Sequence, residues 1–153
     1  MIEYRRITIE EIDLLTKVRI DFLSDVNQLT EEEKIPLSQA IKEYLAEALA
    51  DGSFVAWIAI DGAEVAGVGG ITFYKVPPNK ACITGKAAYI SNMFTYPAYR
   101  GKGIASKVFN LIVEEARIHG HSKVMLNATD MGKPLYEKYG FKEVKGDMVY
   151  YIQ

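Results

Sequence analysis

Three observations in the sequence predict an α/β domain with a mixed central sheet. Two strand-like runs, 54–60 and 64–74, are joined through Asp61-Gly62, a dipeptide typical of a tight β-hairpin. From Gly103 to His119 the apolar period becomes helical, with Ile104, Val108, Leu111, Ile112 and Ala116 recurring on one side. Strand-like and helical segments then alternate, as crossovers between parallel strands require. Early strands are therefore expected to be hairpin-linked and later ones crossover-linked, in a sheet of about six to seven strands flanked by about four helices.

The elements follow in order. Residues 2–7 read as a first strand, and Thr8 with Glu11 three positions later forms a capping box that opens a helix. Ile12, Leu15, Val18, Ile20, Phe22 and Leu23 give this helix its apolar face. The polar, acidic stretch 27–36 reads as a connection to a second helix, which buries Ile41, Tyr44, Leu45 and Leu49 and stops at Asp51-Gly52. Residues 76–79 are a loop, and 88–95 is a strand halted before Pro97. Gly120 ends the long helix, 123–127 is a short strand, and 132–139 is a helix closed by Gly140 with Phe141 folding back on it. A last strand is expected at 148–152.

No repeat, low-complexity tract or linker divides the chain, so residues 1–153 are expected to share one domain. The formal net charge of −2 argues against a nucleic-acid partner. No apolar run approaches the roughly 18 to 20 residues that span a bilayer, so no membrane insertion is expected. The N-terminus lacks a signal-peptide pattern and Cys82 is the single cysteine, which makes a cytoplasmic location the expectation. Two histidines and a distant cysteine offer no metal-ligand spacing, and no metal is expected. His119 and His121 read as caps at the end of the long helix.

The stretch 92–105 carries the chemistry. A strand enters a proline-stopped turn, then two glycines one residue apart, then the long helix. Backbone amides of Arg100, Gly101, Lys102, Gly103, Ile104 and Ala105 should converge where the helix dipole is positive, which makes an anion site. Ser106 in the first turn is placed to touch the same anion. A β-carbon at Gly101 or Gly103 would hold phosphate oxygens away from the main chain. The pattern is not a Walker loop, because the following Lys-Ser/Thr is missing, and it lacks the third glycine of the dinucleotide fingerprint. Taken alone, a glycine pair before a helix is more often a tight connection.

The longer run Pro97-x-x-Arg100-Gly101-x-Gly103-Ile104-Ala105 resembles the acyl-CoA signature of the GNAT superfamily of N-acetyltransferases, with Arg100, Gly103 and Ala105 at its defining positions. Residues 135–141, Leu-Tyr-Glu-Lys-Tyr-Gly-Phe, resemble the superfamily's second signature, a tyrosine-bearing helix closed by Gly-Phe. The likeness extends across the chain and implies the GNAT fold, with acetyl-CoA as co-substrate.

The resemblance implies that the fourth and fifth strands part, and that the pantetheine arm pairs with main-chain groups of Met93, Phe94 and Thr95, facing Asn127. It implies direct transfer to an amine of a small molecule or peptide, with Tyr136 returning a proton to the departing thiolate. An unperturbed phenol pKa of about 10 keeps such a donor protonated at neutral pH. Without the resemblance, Tyr136 would read as an ordinary amphipathic-helix residue.

Where many relatives carry Asn and Ala before this tyrosine, the chain has Thr129 and Gly132. CoA contact is carried over to both, with Asp130 as an expected helix cap. Relatives often place a glutamate on the fourth strand, but residues 88–92 contain no carboxylate, so no general base is named. Asn92 could hold a water instead. Asp21, Asp25, Glu31, Glu32 and Glu33 would suit a cationic amine, against the plainer reading of a solvated helix surface. The superfamily's frequent pairing leaves a homodimer as an alternative to a monomer, and a CoA-binding regulatory domain is the rival to an enzyme.

Overall fold

The structure, a computed structural model, describes residues 1–152. Five strands form one sheet in the order β1 (Ile2–Arg6), β2 (Phe54–Asp61), β3 (Glu64–Lys75), β4 (Lys86–Thr95) and β5 (Lys123–Leu126). The first four are antiparallel neighbours, whereas β5 runs parallel to β4. The mixed α/β architecture is thus as expected. The hairpin between β2 and β3 turns at Gly62, whose φ of 63° suits a residue without a β-carbon.

Four α-helices cover the sheet: α1 (Ile12–Asn27), α2 (Glu31–Asp51), α3 (Ile104–Ile118) and α4 (Lys133–Tyr139). Strand alternation divides the core between two faces. Ala56 and Ile58 of β2 point toward α1 and α2, where they meet Leu15, Val18, Ile41 and Leu45. Ala59 points the other way and joins Ile104, Val108, Phe109 and Ile112 of α3, with Tyr136 of α4.

Two expectations need correction. Helix α2 begins before Pro36, because Thr30 and Glu33 form a capping box: the Glu33 amide donates to Thr30 Oγ1 at 3.2 Å and the Thr30 amide to Glu33 Oε1 at 3.0 Å. Pro36 lies inside the helix and removes a donor there. The last strand, expected at 148–152, is not formed. The outer edge of β5 has no partner among the described residues, and residues 142–152 are exposed, so this apolar run gains no burial. The sheet accordingly has five strands rather than six or seven.

One buried carboxylate ties α3 to the first two strands. Glu115, 2% exposed, accepts hydrogen bonds from Arg6 Nε at 2.7 Å and Trp57 Nε1 at 2.9 Å. At the end of α3, Lys86 Nζ donates to the His119 carbonyl at 2.9 Å, while His119 and His121 both lie against the Phe73 ring. His119 is the C-cap of α3, with its Nδ1 2.8 Å from the Glu115 carbonyl, whereas His121 lies beyond the helix and burial disfavours its charged form, so the expected pair of caps reduces to one.

Two outcomes follow for stability. Replacing Glu115→Ala leaves the half-buried Trp57 indole N–H and the Arg6 guanidinium without their acceptor and should cost about 1–3 kcal/mol in urea unfolding; no loss would show the network to be dispensable. Near the N-terminus, hydrogen bonding to the Arg5 guanidinium first, and to Thr8, holds the Glu11 carboxyl at about 2 rather than 4.5. A carboxyl lowered on folding adds stability above about 4.5 that is lost as pH falls toward about 2. Glu11→Gln should therefore flatten that part of the acid-unfolding curve, and an unchanged slope there would argue against the pairing.

Candidate active site

The site begins with a defect in β4. Val68 of β3 pairs with Phe94, whereas Gly70 pairs with Ser91, so Gly69 alone stands opposite both Asn92 and Met93. This is a β-bulge with its extra residue on β4. Asn92 takes a φ of 61°, a conformation that asparagine tolerates better than most residues, and is 2% exposed. Its Oδ1 accepts a hydrogen bond from Arg19 Nη1 of α1 at 2.6 Å. A β-carbon on Gly69 would meet Met93 Sδ at 2.6 Å and Val108 Cγ1 at 2.8 Å, so a larger residue would displace both side chains.

Just before the bulge, β4 and β5 part. Their pairing runs from Ala87–Lys123 to Ile90–Leu126 and goes no further. The β4 edge from Ser91 to Thr95 therefore keeps main-chain groups unpaired toward the gap.

Beyond the gap, the chain turns at 97–99 into α3. Arg100 folds back: its Nε donates to the Thr95 carbonyl at 2.9 Å, its guanidinium lies 5.8 Å from the Phe94 ring centre, and Asp25 is 3.8 Å away. Gly101 and Gly103 have φ of 78° and 79°, and a β-carbon built on either meets nothing within 4 Å. No side chain caps α3, whose N-cap is Gly103. The first-turn amides are therefore free to meet an anion.

A cavity of about 430 Å³ opens here. Its walls include Met93, Phe94, Thr95, Arg100, Gly101, Gly103, Ile104, Ala105, Ser106, Thr129, Gly132 and Tyr136. Two residues picked from the sequence fall outside it. Lys102 reaches outward, its Nζ 5.3 Å from the centre of the Tyr99 ring, because its positive-φ neighbours turn it away from the cavity. Asn127 lies past the last β4–β5 pair and lines a second cavity, of about 350 Å³. The second cavity shares Phe22, Val26, Met93, Thr129 and Tyr136 with the first.

Tyr136 sits at the junction. Its ring packs 5.1 Å from that of Phe109, and Gly132 gives it room: a β-carbon at Gly132 would stand 3.0 Å from the phenol oxygen. The hydroxyl makes no hydrogen bond among the described residues, yet it is not a sealed orphan, so it opens onto the cavities. Burial raises the phenol above its ordinary value. The N-cap of α4 is Gly132 and no side chain caps the helix, so the cap expected from Asp130 is not made; Thr129 instead closes the preceding turn, where the Gly132 amide donates to its Oγ1 at 3.2 Å and to its carbonyl at 3.1 Å.

Of the five acids that would suit a cationic amine, four are engaged elsewhere. Asp21 accepts from the Tyr96 hydroxyl at 2.5 Å and from Lys17 at 2.9 Å, and Asp25 faces Arg100. Glu31 and Glu33 serve the start of α2, through Lys34 and Thr30. Arg19 was not picked from the sequence. The available signal was a charge placed four residues after Leu15 and three before Phe22, on an otherwise apolar helix face.

Comparison with known proteins agrees with this geometry. A family model described as an acetyltransferase (GNAT) domain matches residues 24–150. The crystal structure of a predicted acetyltransferase with acetyl-CoA from Clostridium acetobutylicum is similar at a TM-score of 0.92 and 31% identity, covering 99% of this chain and 96% of that one. A GCN5-related N-acetyltransferase from Ralstonia eutropha JMP134 follows at 0.89 and 25%, covering 99% of both chains. An uncharacterised N-acetyltransferase of Escherichia coli K12, YjgM, is 28% identical over 146 residues, which span 92% of this chain and 81% of that protein. With the family model covering most of its length, the chain belongs to the GNAT family of acyl-CoA-dependent N-acetyltransferases.

Proposed function

We propose that this enzyme moves the acetyl group of acetyl-CoA directly to a primary amine of a small molecule or peptide, with Tyr136 as general acid. One observation carries the reading: two cavities meet at Tyr136, so a donor in one and an acceptor in the other would face each other across its hydroxyl. A relative solved with acetyl-CoA supports the choice of donor.

The residues fit such a donor. The uncapped start of α3, with open space at Gly101 and Gly103, suits the pyrophosphate, which would take hydrogen bonds from amides between Gly101 and Ser106. The free β4 edge suits the amide-bearing pantetheine arm, which would pair with Met93, Phe94 and Thr95 as an added strand does. Thr129 and Gly132 would close the opposite wall. Arg100 would act chiefly by fixing the turn, since its Nε is committed to Thr95.

In the reaction, the neutral amine attacks the thioester carbonyl, a C–N bond forms, and the C–S bond breaks. Tyr136, kept protonated by burial, donates to the departing sulfur, and the nitrogen gives its extra proton to solvent. Asn92 cannot accept that proton, because its Oδ1 already receives the Arg19 hydrogen bond and an amide is not a base. Water is the remaining acceptor.

Release of free thiol from acetyl-CoA with a panel of amines separates this reading from a CoA-binding domain without turnover, which would show saturable binding and no thiol. Tyr136→Phe should lower kcat by about 100-fold while calorimetry shows unchanged CoA affinity; a full rate with chemistry limiting would remove Tyr136 from the role. Gly103→Glu sets a carboxylate where the pyrophosphate should lie and should abolish CoA binding, whereas unaltered affinity would contradict the placement.

A further inference from the structure

Among the described residues, the second cavity has one charged side chain in its wall, Arg19, and no carboxylate. Its other polar groups include Tyr89, Ser91, Asn92 and Asn127, while Phe22, Leu23 and Val26 supply an apolar side. A guanidinium carries five N–H donors. One bond holds Arg19, to Asn92 Oδ1 at 2.6 Å, and no ion pair engages it among the described residues. None of its nitrogens is sealed without a partner among the described residues, and Arg19 lines the cavity, where its spare donors are within a ligand's reach.

Burial weakens the protonated form of Arg19; Tyr44 opposes this to a lesser degree, and no carboxylate does. The acids on the same helix cannot help, because Asp21 is held by Tyr96 and Lys17 and Asp25 faces Arg100. A half-buried cation with open donors and no counter-charge favours an anion brought by a ligand. Asn92, fixed by the bulge, orients the guanidinium toward that ligand.

We propose that the acceptor is an amine that also carries a carboxylate, and that Arg19 binds this carboxylate and selects for it. The inference rests on the acetyltransferase reading of the site and narrows its substrate class. A single guanidinium matches a monoanion, and its planar fork matches the two oxygens of a carboxylate. The carboxylate does not react: the amine forms the new amide bond as described above, and thiol and proton leave as before.

The test compares amino acids of graded amine-to-carboxylate spacing with their carboxamides, under saturating acetyl-CoA, by thiol release. Carboxamides hold the less basic amine and present more free base at neutral pH, so intrinsic reactivity favours them. A higher kcat/KM for the acids, with the acid-to-amide ratio falling on the order of 100-fold in Arg19→Gln and partly recovering in Arg19→Lys, would support the assignment. Equal use of acids and amides, an unchanged ratio in Arg19→Gln, or a preference for aminoalkyl phosphates would overturn it while leaving the acetyltransferase reading intact. Should no amine release thiol, that reading fails, and calorimetry with CoA present still decides the anion site. N-acetyl amino acids binding more tightly than their amides, in an Arg19-dependent way, would support it, and equal binding would refute it.

Discussion

The bulge at Asn92 is the constraint on which the site depends. Because β4 carries one residue more than β3 across this point, the strand bends, and its pairing with β5 ends at Ile90. A β4 that continued to pair with β5 would have its main-chain groups satisfied and would leave no gap. The bulge is stable because its unusual backbone is assigned to asparagine, opposed by a glycine without a side chain, and tied through Arg19 to the helix above. The local irregularity is thus held by three elements at once.

From that point the two halves of the chemistry separate. On one side lie the free β4 edge and the uncapped start of α3, both made of backbone groups that recognise amide and phosphate rather than a particular side chain. On the other side lies a cavity walled by side chains of α1, β4 and the end of β5, which the proposed reading gives to the acceptor. Tyr136 borders both.

Legibility in the sequence tracked the distance between interacting residues. The hairpin at Asp61-Gly62, the capping box at Thr8 and the glycine pair before α3 are local, and each sits where its residues indicated. The capping box at Thr30 was equally local but was masked by Pro36, which reads as a break although it lies inside α2. The run 148–152 has strand composition, yet composition does not supply a neighbour to pair with. Arg19 meets Asn92 across 73 residues, and no period or motif encodes such a contact. Its only trace was a charge on an apolar helix face. Lys102 and Asn127 were placed by motif and gap, but their side chains depend on the turn and on where β5 stops.

The central claim is that the β4 edge and the start of α3 form one continuous CoA site. Titrating the protein with CoA while following its backbone amide resonances tests this directly. The account requires the largest shifts together at residues 93–95 and 101–106, with the strands β1 and β2 nearly unmoved. Large shifts confined to other surfaces, or silence at both Gly101 and Gly103 under saturation, would contradict it.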